Sequence, residues 1–133
     1  MAPALLGFDH IHVYVRDRAA AEQWYAAVLG LERTPALVFW SAGGGPLTLQ
    51  DASGTVHIAL FERPHQPTRS TVALRVSGRE FRAWRAHLKA VAGLSVTEED
   101  HEASVSLYFH DPDGNPYEIT SYECHIARAD GDV

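Results

Sequence analysis

The 133-residue sequence has one cysteine, Cys124, and one methionine. A lone cysteine cannot close a disulfide within the chain, so a reducing, cytoplasmic setting is expected. No apolar run reaches the roughly 18 residues needed to span a bilayer. The opening MAPALLGFDH has no basic cluster and too short an apolar stretch for a signal peptide. Basic residues are few: 11 Lys and Arg stand against 17 Asp and Glu, for a formal net charge of −6. Nucleic-acid phosphates call for clustered Lys and Arg, so nucleic acid is not an expected partner. The densest basic group, Arg79, Arg82, Arg85 and Lys89, repeats at helical spacing and reads as a solvated helix face.

What is present is ordinary for a globular chain: 46% hydrophobic and 21% charged residues, enough for one domain with one core. FDHIHVYVRD (8–17) alternates with period two and reads as a strand. Asp17 then caps a helix whose stripe is Ala20, Trp24, Ala27, Val28 and Leu31, and Gly30 supplies a left-handed stop. Segments near 32–41, 46–51 and 55–62 read as strands, with SAGGGP (41–46) and DASG (51–54) as turns. ERPHQPTR (62–69) reads as a linker. After it the order begins again. STVALRV (70–76) is a strand, Gly78 opens a helix striped by Phe81, Trp84, Leu88 and Val91, and Gly93 ends it. Strands follow near 94–99, 104–110 and 115–122, with DPDG (111–114) before the last and a loose tail at 124–133.

The two halves share the order strand, helix, three strands, about sixty residues apart. The expected fold class is therefore α+β, with two βαβββ modules in tandem at about 8–62 and 70–123. One sheet face in each module is covered by a helix; the other must find a partner or line a cavity. Alternate side chains of a strand point to opposite faces. Ile11, Val13 and Val15 thus face the first helix, and His10, His12 and Tyr14 face away. In the last strand Glu118, Thr120 and Tyr122 share a face. An offset of 61 makes His57 the equivalent of Glu118 and points both inward, whereas an offset of 60 turns His57 toward the helix. The offset of 61 is preferred because it keeps Ile58 and Leu60 buried. Imidazole nitrogen and carboxylate oxygen suit Zn, Ni, Mn or Fe(II), so His10, His57 and Glu118 are candidate metal ligands.

FDHIHVYVRDRAAAEQWYAAVLGL (8–31) and SLYFHDPDGNPYEITSYE (106–123) resemble the vicinal oxygen chelate superfamily of glyoxalases, bleomycin-resistance proteins and extradiol dioxygenases. The carriers are a histidine before an alternating strand, then Asp17, WY and LGL, and later DPDGN followed by a glutamate in the last strand. The resemblance implies one domain over the whole chain, with both sheets wrapped around a ligand cavity, and a homodimer. It implies metal ligands at His10 and Glu118. The second module should offer a histidine where this chain has Thr71. His57 then stands where glyoxalase I has a carboxylate. The resemblance also implies a substrate-contacting tyrosine at Tyr108 and a histidine near the substrate at His101.

Proton-moving or substrate-positioning roles are assigned to His12, His101, Tyr108 and Tyr122, and lining roles to Tyr14, Thr71, Ser106 and Thr120. A near-neutral imidazole is suited to acid–base work. His65, His87, His110 and His125 read as surface residues. GGG (43–45) lacks the Lys and Ser/Thr of a phosphate loop and reads as a turn. Cys124 has no activating motif, and Trp24, Trp40 and Trp84 read as core or interface. Two functions follow. One is an enzyme that uses a divalent metal on a small substrate with vicinal oxygens. The other is a protein that sequesters an aromatic or glycosylated small molecule and has no metal, which the Thr71 departure favours.

Overall fold

In the computed structural model, residues 1–64 and 68–129 are described. The chain divides into two units, Met1–His65 and Gln66–Val133. His65 and residues 130–133 of the expected tail lie outside the described residues.

The first unit starts with β1 (Ile11–Val15), whose Val13 and Val15 are buried while His12 and Tyr14 stay exposed. Asp17, in extended backbone, caps α1 (Arg18–Trp24); its carboxylate accepts the Ala20 N–H at 3.0 Å. The helix widens into a π turn over Tyr25–Leu29, and Gly30 closes it at φ 68. The buried stripe is Ala21, Tyr25, Val28, Leu29 and Leu31. The expected stripe is therefore displaced by one residue in its first turns. Ala20 and Ala27 are exposed, Trp24 is half-buried and Tyr25 takes the core position. The wide turn inserts a residue that a regular 3.6 period does not anticipate.

β2 is only Glu32–Arg33. The strand expected through residue 41 is instead a run of tight turns over Pro35–Gly44. Pro35 supplies a preset φ at the first helical position, and a short apolar run such as ALVFW does not reveal its type by periodicity. Arg18 pins the run's end, donating to the carbonyls of Gly45 (2.7 Å) and Ser41 (3.1 Å). β3 (Leu47–Gln50) and β4 (His57–Glu62) complete a sheet of order β1-β4-β3-β2, with β1 parallel to β4.

The second unit repeats this plan: β5 (Val72–Arg75), α2 (Gly78–Lys89), β6 (Thr97–Asp100), β7 (Val105–His110) and β8 (Pro116–Ser121). Its sheet has the order β5-β8-β7-β6, again with the outer strand parallel to its neighbour. Ser77 caps α2 by accepting the Glu80 N–H at 3.1 Å, and Glu80 places an acid at the positive end of the helix. Phe81 and Leu88 are fully buried. The helix ends at Lys89, so Val91 falls in the following turn rather than in the stripe. Arg85 is not a solvated face residue. It is largely buried, pairs with Glu98 at 2.7 Å and donates to the Ala127 carbonyl.

The tail is also not loose throughout. Cys124–Ala127 forms a short helix, α3, and Ala127 is fully buried. α3 packs on the start of α2, where the Glu123 carboxylate accepts the Gly78 N–H at 2.7 Å. Gly78 permits the approach: a Cβ there would lie 2.8 Å from both the Glu123 carbonyl oxygen and the Ile126 Cβ. No helix among the described residues is long and apolar enough to cross a membrane.

Candidate functional site

The pairing registers decide which residues of the two units correspond. Ile58 lies opposite Ile11 and Leu49, and Tyr117 lies opposite Val72 and Phe109. First strands therefore match at an offset of 61, third strands at 60 and last strands at 59. The slip arises in the turn before the last strand. Asp51 and Asp111 both fold back on themselves, each Oδ1 accepting two backbone N–H groups at 2.9 Å. The first turn closes at Val56 and the second at Asn115, so the first is one residue longer. The module-one counterpart of Glu118 is Ala59, which corrects the equivalence of His57 and Glu118. His57 matches Pro116. The slip is even, so the face is kept: His57 shares a side of β4 with Ala59 and Phe61, opposite Ile58 and Leu60. Thr71 is the counterpart of His10.

In the first unit, the face away from the buried valines carries a compact imidazole–aromatic strip. His10 Nδ1 lies 2.6 Å from Asp9 Oδ2, and His10 Nε2 lies 2.9 Å from His12 Nε2. The two rings stack with centroids 4.9 Å apart. His12 packs on Phe61 at 4.7 Å, Tyr14 packs on Phe61 at 5.6 Å, and the Arg63 guanidinium lies over the Phe61 ring. His57 is half-buried opposite Gln50.

In the second unit, the corresponding face carries oxygen chemistry. Ser106, fully buried, donates to Glu118 Oε2 at 2.7 Å and lies 3.0 Å from Thr120 Oγ1, which itself donates to the Val105 carbonyl. Tyr108 lies directly opposite Glu118 across the β7–β8 pairing. Its hydroxyl is 2.9 Å from His101 Nε2. Burial pushes the Tyr108 phenol pKa up, the Ser106 hydroxyl offsets part of that rise, and the Glu118 carboxylate adds to it. The phenol is thus held as a neutral proton carrier between an imidazole and a carboxylate. Tyr122 is not part of this group: it is exposed, with the Arg75 guanidinium 5.5 Å from its ring centre. Thr71 is exposed just ahead of β5.

Some supporting residues were missed by sequence reasoning. Asp9 orients His10, and only its adjacency hinted at that. His101 sits in a turn whose Glu102 has a left-handed φ of 69. Arg128 clamps that turn, pairing with Asp100 at 2.6 Å and donating to the Glu102 carbonyl at 3.0 Å. This pairing lowers the Asp100 pKa to about 2. Arg128 lies in the stretch read as tail, so no sequence signal pointed to it.

The family model for the Glyoxalase/Bleomycin resistance protein/Dioxygenase superfamily matches residues 7–119. The chain belongs to this superfamily. Solved structures with the glyoxalase-superfamily fold agree. An integron cassette protein from the mobile metagenome of the Halifax Harbour sewage outfall is 23% identical, with 88% of this chain and 99% of that chain covered at a TM-score of 0.74. The fosfomycin resistance protein FosX from Listeria monocytogenes, complexed with Mn(II) and sulfate, is 17% identical, with coverage of 93% and 96% and a TM-score of 0.69. The oxidase ChaP-H2 is 22% identical, with coverage of 89% and 94% and a TM-score of 0.69. No curated protein matches the sequence. Superfamily membership agrees with the two-module reading, and the FosX structure holds Mn(II).

Within each unit, no three His, Cys, Asp or Glu side chains converge to hold a metal ion among the described residues. His10 and His57 belong to the first unit and Glu118 to the second. The donor set nonetheless fits a divalent cation. His10 presents Nε2 while a carboxylate engages its other nitrogen, the usual support of a ligating imidazole. Glu118 keeps one oxygen on Ser106 and has a second for other work.

Proposed function

We propose that the chain is a divalent-metal-dependent enzyme acting on a small substrate with vicinal oxygens, with both units forming one domain. The observation that carries this reading is the preformed group on the second unit: His101 against Tyr108, and Tyr108 opposite a Glu118 oriented by Ser106. His10 and Glu118 hold the cation, and His57 is the third ligand offered by its face of β4. The cation, when bound, supplies Lewis acidity toward charge that develops on a substrate oxygen. Ser106 and Thr120 fix the Glu118 carboxylate. Tyr108 holds a proton at its hydroxyl, and His101 accepts or returns it at Nε2. His12, Tyr14 and Phe61 form an aromatic wall for the substrate on the first unit, and Thr71 and Tyr122 are offered to it by the second. We read the protein as cytoplasmic and homodimeric, since each sheet ends in outer strands with unpaired edges among the described residues. Zinc, nickel, manganese and iron(II) titrations of metal-stripped protein test the reading. Binding by wild type and its loss in both His10→Ala and Glu118→Gln is the expected result; unchanged binding in Glu118→Gln overturns it.

A second reading is favoured by the aromatic strip. His12, Phe61 and Tyr14 with Arg63 above Phe61 form a surface suited to a flat aromatic ligand. With Thr71 in place of a ligating histidine, the chain would then sequester a small molecule without chemistry. Tight quenching of tryptophan fluorescence by aromatic compounds, unaffected by a chelator, is the result expected from this reading.

A further inference from the structure

We propose that His12 is itself a metal ligand, so that His10 and His12 form a two-nitrogen chelate for zinc or nickel on the first unit. This deepens the metal-enzyme reading and rests on it for the rest of the coordination shell. Side chains two apart on a strand leave the backbone roughly 6.6 Å from one another. Their imidazole tips have no reason to meet, yet these two Nε2 atoms are 2.9 Å apart. Two nitrogens about 2.1 Å from a cation stand roughly 3.0 Å apart at the right angles of an octahedral ion and roughly 3.4 Å apart at tetrahedral zinc, so the tips need spread only a few tenths of an ångström. The rings stack, 24° from parallel, so a turn of one ring about its Cβ–Cγ bond is what brings both in-plane lone pairs onto one cation.

The protons favour the same assignment. Asp9 engages His10 Nδ1 at 2.6 Å, which places the His10 proton on that nitrogen and leaves Nε2 as a lone pair. With His10 neutral and no cation bound, His12 donates its own Nε2 proton to that lone pair. With a cation, His12 carries its proton on Nδ1 and offers Nε2 as the second donor. Phe61 against the His12 ring limits its rotamers, so little ordering is left for binding to impose. Imidazole pairs select zinc, nickel or copper over magnesium or calcium. The need for a second nitrogen on this strand follows from the repeat: the module-two counterpart of His10 is Thr71, a poor ligand, and β4 offers Ala59 where β8 has Glu118.

Calorimetric titration of zinc and of nickel into metal-stripped wild type and variants tests this. His12 is exposed, so His12→Ala should keep its far-ultraviolet dichroism. The expected result is a loss of at least tenfold in affinity in His10→Ala and in His12→Ala, and a weakening of about 10–100-fold in Asp9→Asn. Nitrogen-15 spectra of wild type should show His12 switching from the Nε2–H to the Nδ1–H form on zinc addition. Wild-type affinity in His12→Ala, or an unchanged His12 tautomer, overturns the inference; if His10→Ala and Glu118→Gln still lose the metal, the functional reading survives. Loss in His10→Ala and His12→Ala with full binding in Glu118→Gln supports the chelate and overturns the three-strand reading. A wild type that binds neither metal overturns both.

Discussion

The two units share one topology and differ in what they place on the same face of it. On the first, the outer strand and the residue before it carry His10, His12 and Tyr14, and the central strand offers Ala59. On the second, the outer strand and the residue before it offer Thr71, Ala73 and Arg75, and the central strands carry Ser106, Tyr108, Glu118 and Thr120. The paired imidazoles of His10 and His12 lie on one copy and the carboxylate held by Ser106 on the other. The buried sides, by contrast, are alike: Leu60 and Ile119 are both fully buried at matching positions. The repeat therefore keeps the core that makes each sheet stable and divides the chemistry.

The largest effect should fall on what the units have in common. Leu60→Ala and Ile119→Ala should each cost about 2–5 kcal/mol, since both empty a fully buried site. Urea unfolding followed at two wavelengths measures it, and a large inequality between the two would break the parallel. Next comes the polar network found only in the second unit. Ser106→Ala removes a buried donor from the Glu118 carboxylate and should cost about 1.5–3 kcal/mol, measured by the same urea unfolding.

Gly78→Ala tests the second unit's docked α3, which has no counterpart beside the matching Arg18 among the described residues. The added Cβ meets backbone at 2.8 Å, so α3 must shift, at a cost of about 1–3 kcal/mol; a neutral outcome would mean that α3 moves freely. The smallest effect belongs to the Asp100–Arg128 clamp on the His101 turn. The Asp100 pKa falls from 3.8 to about 2 in the fold because Arg128 bonds its carboxylate. A depressed carboxylate stabilises the fold above its unfolded pKa. The melting-temperature gap between wild type and Asp100→Asn should therefore be full above about pH 4 and close as pH falls through about 2.

Much of this was legible in the chain. The period-two alternation of IHVYV, the cap at Asp17, and the repeated Asp-x-x-Gly turns indicated both modules, because each is a local signal. His101 and Tyr108 were named as candidates from the resemblance, and the structure brings them together. Less legible were features that depend on one residue more or less. The π turn moved the helix stripe to Tyr25, and the longer turn after Asp51 moved the counterpart of Glu118 from His57 to Ala59. ALVFW shows the same limit: its apolar run reads as a strand until Pro35 and the Arg18 pin impose tight turns.

The sequence by itself determined the family, the repeated order of elements and the faces on which the chemical groups lie, since alternation and capping act over a few neighbouring residues. Only the tertiary structure decided which strand positions correspond, that Arg128 holds the His101 turn, and that two imidazole tips of one strand meet at 2.9 Å. Those outcomes depend on hydrogen bonds and ring contacts between atoms whose separation no local spacing specifies.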